Sequence, residues 1–89
     1  MIDILNSAFS DLKIIDDNGE AKDFSDFSVK RIDSSYSFFA KCDSSAEVEQ
    51  IMEQVMIRFN PTYYYKGVNF ELNSISHISN KCMFIISQC

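Results

Sequence analysis

Apolar positions between Ser44 and Phe59 follow a helical period: Val48, Ile51, Met52, Val55 and Phe59 recur at i, i+3, i+4, i+7 and i+11. Glu47, Glu49, Gln50, Glu53 and Gln54 lie mostly elsewhere on the wheel, which predicts an amphipathic helix with one buried face. Both ends carry chemical signals. Ser44 followed by Glu47 has the spacing of a capping box, in which the serine oxygen accepts from the N3 amide and the glutamate reaches back to the cap amide. Arg58 suits the negative end of the macrodipole, and Asn60-Pro61 turns the preceding residue away from helical geometry.

The rest of the chain reads mainly as strand. Ile2, Leu5, Phe9 and Leu12 put one apolar stripe on a short N-terminal helix. A strand is expected over Leu12 to Asp16. Asn18-Gly19 is then expected to form a two-residue type I′ turn leading into a return strand, Ala21 to Phe24. Phe27, Val29 and Arg31 alternate with Ser28 and Lys30, Asp33-Ser34-Ser35 can turn the chain, and Tyr36 to Cys42 forms the next strand. After the helix come Thr62 to Lys66, a bend or bulge at Gly67, a strand through Val68, Phe70 and Leu72, a loop over Ser74 to Asn80, and a last strand from Lys81 to Ser87. The expected fold is α+β: a single small domain over residues 1–89, with a mixed or antiparallel sheet of four to six strands packed on one central amphipathic helix plus a short N-terminal helix.

Composition agrees with a folded domain, since 46% of residues are hydrophobic, 24% are charged, and there are only two glycines and one proline. Eight phenylalanines and four tyrosines favour a ring-rich core and sheet. The net charge of −5, with no stripe of Lys or Arg, argues against nucleic-acid binding. No apolar run approaches the ~20 residues of a membrane span, so a soluble protein is expected. Cys42, Cys82 and Cys89 are odd in number and lack CxxC spacing, and no signal peptide is evident. Free thiols in a reducing compartment are therefore expected.

Candidate chemistry is sparse. His77 is the sole histidine and has no nucleophile motif around it. Asp16 and Asp17 sit by a turn, while Glu49 and Glu53 share a solvent-facing helix side. Gly19 and Gly67 are isolated, so no glycine-rich loop can cradle a phosphate, and the ligand set for a metal is lacking. No enzyme, cofactor or metal is expected. Two features suit protein interaction instead. Asp16, Asp17 and Glu20 crowd an acidic hairpin that a basic partner could complement. In the run of three tyrosines only alternate rings share a face, so Tyr63 and Tyr65 can either pack structurally or dress an assembly interface.

The stretch Tyr36-Ser37-Phe38-Phe39-Ala40-Lys41-Cys42, followed by Val48-Glu49-Gln50-Ile51-Met52-Glu53-Gln54-Val55-Met56-Ile57-Arg58-Phe59-Asn60-Pro61, resembles the core of contractile-phage tail terminator and tail sheath stabiliser proteins. In that family a strand leads into a helix of QI-x-EQ-hydrophobic type closed by an aromatic-x-Pro stop, and Gln50, Ile51, Glu53, Gln54, Phe59 and Pro61 stand where that pattern puts such residues. The resemblance implies a virion structural protein of the tail or neck, assembled in the host cytoplasm. It would act as a homo-oligomeric, usually hexameric, ring that ends the tail tube and contacts tube, sheath or connector proteins, without cofactor or turnover. An alternative from another class fits the acidity equally well: a small inhibitor encoded by a phage or mobile element, such as an anti-defence, DNA-mimic or immunity protein, binding a basic nucleic-acid enzyme.

Overall fold

In the computed structural model, which describes residues 1–89, the chain runs α1 (Ile2–Ala8), β1 (Lys13–Ile15), β2 (Ala21–Asp23), β3 (Phe27–Ile32), β4 (Ser35–Lys41), α2 (Ser45–Arg58), β5 (Thr62–Tyr65), β6 (Val68–Ile78) and β7 (Lys81–Gln88). The fold is α+β. Strands β1 and β2 form a separate two-stranded hairpin, and the other five form an antiparallel sheet in the order β3-β4-β7-β6-β5.

Helix α2 begins where its cap chemistry dictates. Ser44 Oγ accepts from the Glu47 amide at 3.3 Å, but the returning Glu47 carboxylate accepts from the Asp43 amide at 3.1 Å rather than from the cap residue's own. Val48, Ile51 and Val55 are buried and Met52 and Phe59 half-buried, as the helical stripe requires. They meet a sheet face built from alternate residues: Tyr36, Phe38 and Ala40 on β4, Cys82, Phe84 and Ile86 on β7, and Phe70 on β6. Phe38 is the hub, its ring centroid 4.6 Å from that of Phe9 and 5.6 Å from that of Phe84. Leu5 and Phe9 bring the N-terminal segment into the same core, although α1 closes at Ala8 and delivers Phe9 and Leu12 from the turns that follow.

Three further expectations from the sequence need correction. The β1–β2 connection is a three-residue loop, not a two-residue type I′ turn: the Gly19 amide bonds to Asp16 O at 3.0 Å and the Asp16 amide to Glu20 O at 2.9 Å. Gly19 alone has a positive φ there, +79°, the pattern of a type I turn followed by a left-handed residue. The Asp16 carboxylate selects this closure by accepting from the Asn18 and Glu20 amides at 2.9 and 3.0 Å. Lys66 and Gly67, at φ 49° and 83°, form the two-residue turn of the β5–β6 hairpin rather than a bend within one strand. Of the loop expected over Ser74 to Asn80 only the Ser79-Asn80 turn is present, because β6 continues past a bulge at Asn73 to Ile78. Its serines and His77 lie on an exposed strand whose extended form is imposed by pairing with β7, against their own weak propensity.

The separate hairpin is fastened to α2 by two side-chain amides. Gln50 accepts from the Ile15 amide at 2.6 Å and donates to Ile15 O at 3.3 Å, and Gln54 does the same for Lys13 at 3.2 and 2.5 Å. The spacing explains the fit: four residues of helix rise about 6.0 Å, and two residues of strand advance about 6.7 Å. The two glutamines thus stand where a neighbouring strand would.

Candidate functional site

The residues singled out from sequence fall into two regions that do not meet. Asp17 and Glu20 are exposed on the hairpin loop, while Asp16 is half-buried with its carboxylate holding that loop closed. The fold brings Asp16 and Asp17 beside Asp43 and Glu47 at the start of α2, around an open concavity of about 320 Å³ in which Lys22 is the one cation. This end of the molecule is acidic.

Tyr63 and Tyr65 share a face, as strand alternation requires, and both turn inward. Tyr63 packs edge-on against Phe59 at 5.7 Å and stacks near Tyr65 at 6.0 Å, and the Tyr65 hydroxyl bonds to Ser7 Oγ at 2.9 Å. Desolvation raises the Tyr63 phenol above its ordinary pKa, partly opposed by the Arg58 guanidinium. Tyr64, 66% exposed, is the ring that faces out. Arg58 completes this cluster, donating to Ala8 O at 2.5 Å and to the Asp11 carboxylate at 2.6 Å while lying 5.6 Å above the Phe9 ring and 5.9 Å above that of Tyr63. It satisfies a carbonyl at the C-terminus of α1 and locks α1 to α2.

The surface that sequence reading missed is the sheet face opposite the helices. Strand pairing sets Phe39 beside Met83, Ser37 beside Ile85, Lys41 beside Lys81 and Ile32 beside Ser35 on that face. Phe39 is 38%, Ile32 51% and Ile78 80% exposed, and Met83 and Ile85 are half-buried. Ser28, Ser37, Ser74 and Ser76 are the small polar residues of the same face. A groove of about 530 Å³ runs across it, lined by Phe39, Ser76, Ile78, Lys81 and Met83 among others. Its charges are Lys30, Lys41 and Lys81 against the carboxylates of Glu71 and of Asp26, which lies opposite Lys41, so this face is weakly basic where the hairpin end is acidic. A signal for it existed. The unbroken run Cys82-Met83-Phe84-Ile85-Ile86 makes both faces of β7 apolar, and only one is covered by helices.

No cluster of three or more His, Cys, Asp or Glu residues is placed to hold a metal ion. Cys42 and Cys82 are buried thiols in side-chain contact with each other, and Cys89 is exposed. Burial pushes the Cys82 thiol up to about 12 and raises that of Cys42, which leaves both protonated and poor nucleophiles near neutral pH. His77 stands opposite Cys82 across β6 and β7 but is solvent-exposed. No helix is long and apolar enough to cross a membrane. Searches of family models, curated proteins and solved structures gave no match to this chain.

Proposed function

We propose that the protein is a non-enzymatic structural subunit of a contractile-phage tail, one of a ring of six copies that ends the tail tube in the virion and meets tube, sheath or connector proteins there. The observation that carries this reading is the division of one small subunit into an acidic end, Asp16, Asp17, Asp43 and Glu47, and an uncovered apolar sheet face rimmed by Lys30, Lys41 and Lys81. A repeated head-to-tail contact needs two different, complementary surfaces on each copy, and these are of opposite charge with an apolar centre. The strand-helix-strand resemblance over Tyr36 to Pro61 supplies the tail-end assignment. Gln50 and Gln54, which contribute to that resemblance, hold the hairpin in place and so position the acidic end.

Co-sedimentation with contractile-tail tubes tests the reading. The wild-type chain should pellet with tubes, and Phe39→Asp/Met83→Asp should stay in the supernatant. Equal behaviour of the two proteins would sink it. The acidic concavity also favours a second reading, an inhibitor of a basic nucleic-acid enzyme. A monomer that ignores tubes and binds a basic nuclease through Asp17 and Asp43 would establish that reading instead.

A further inference from the structure

We infer that the free edge of β6 from Ser74 to Ile78 is a strand-pairing site for a second copy of this chain, joined antiparallel about a two-fold axis through Ser76. Strand β6 is 11 residues long, yet β5 pairs only with Val68 to Glu71, and the rest of β6 pairs on one side alone, with β7. An unpaired row of backbone amides and carbonyls is a template for another strand unless the sequence guards it. The other two edges are guarded. Lys30 and Arg31 stand on β3, and β5 has four residues directly after Pro61. Ser74, Ile75, Ser76, His77 and Ile78 include no Lys, Arg, Asp, Glu, Pro or Gly.

The identity of the occupant comes from where this edge stops. Its regular part is bounded by the bulge at Asn73 on one side and by the Ser79-Asn80 turn on the other. A second β6 therefore has the matching length, and its turn falls opposite the bulge. In this register Ser76 faces Ser76, Ile75 faces His77 and Ser74 faces Ile78, with no like charges opposed. Ile78, 80% exposed in the single chain, gains cover from the partner strand. The contact is two-fold and so differs from the head-to-tail contact of a ring; it does not rest on the tail-end reading.

Only a short strand pair is buried, so association is weak and calls for light scattering up to roughly 100 µM. The 10.2 kDa chain should approach a mass of about 20 kDa at the top of that range. Ser76→Lys, an exposed change that sets two ammonium groups face to face at the axis, should return it to one chain and weaken pairing at least tenfold. The control Ser28→Lys on β3 should leave the mass unchanged. In a Cys89→Ser background, Ser76→Cys should form an intermolecular disulfide with glutathione disulfide, two protein thiols being oxidised as the reagent is reduced to two glutathione thiols. A monomer at every concentration, an oligomer of any size that Ser76→Lys leaves intact, or failure of Ser76→Cys to cross-link would each overturn the pairing. A ring of six unaffected by Ser76→Lys would do so while leaving the tail-end reading standing.

Discussion

Replacing Gln50 and Gln54 together by alanine isolates the bond between the hairpin and α2. Four hydrogen bonds to the Lys13 and Ile15 backbone disappear. They are partly open to water, which can take their place, so each contributes near the low end of the usual range, about 0.5 kcal/mol, or about 2 kcal/mol for the four. Alanine returns about 0.3 kcal/mol of helix propensity at each position. The net loss is about 1.4 kcal/mol, and the two single variants should couple, because both amides hold one short strand. In urea the midpoint should fall by about 1 M with little change in slope. Amide exchange gives the local readout. Lys13 and Ile15 should lose protection, whereas the Asp16 and Gly19 amides, bonded within the hairpin loop, should keep theirs. A double variant within about 0.3 kcal/mol of wild type, with Lys13 and Ile15 still protected, would refute the strand-mimicking role.

Arg58→Ala should cost about 2–3 kcal/mol in urea unfolding, since it strips the Ala8 carbonyl of its partner and removes packing on Phe9 and Tyr63. Asp11→Ala should cost under about 0.5 kcal/mol because that carboxylate is 73% exposed. Ser44→Ala should cost about 1 kcal/mol through loss of the N-cap bond. Both buried thiols have folded pKa values above 9.0, the ordinary value, so the folded state binds more protons than the unfolded one once pH exceeds about 9. Stability from this source is present below that pH and declines above it, up to about 12 for Cys82, as alkaline urea titrations should show. Ellman's reagent at neutral pH should find one fast thiol, Cys89, with Cys42 and Cys82 appearing only on unfolding.

The parts of this fold that could be read directly from sequence are those fixed by neighbours in the chain. Ser44, Glu47 and the stripe from Val48 to Phe59 specify α2 to within a residue at each end. The parts that escaped depend on contacts distant in sequence. Ser74 to Ile78 is polar enough to read as a loop and becomes strand because Lys81 to Ile85 lies alongside. Gln50 and Gln54 read as a solvated helix side, because their partners lie 35 and 41 residues away. Asn18-Gly19 did announce a hairpin, but the Asp16 carboxylate chose its closure. Of the candidate site, the acids of the hairpin were visible as a charge cluster, whereas their meeting with Asp43 and Glu47 was not. Tyr63 and Tyr65 showed the correct alternation, and only the packing of Phe9 and Phe59 reveals that their side of β5 faces inward. The basic apolar face needed knowledge of which side of β4 and β7 the helices cover.

The most direct measurement is electron microscopy of contractile-tail tube protein polymerised with and without the chain. The expected result is tubes of limited length that carry a six-copy cap at one end, and loss of both features in Phe39→Asp/Met83→Asp. Tubes that grow to the same length and bear no added density would contradict the proposed function.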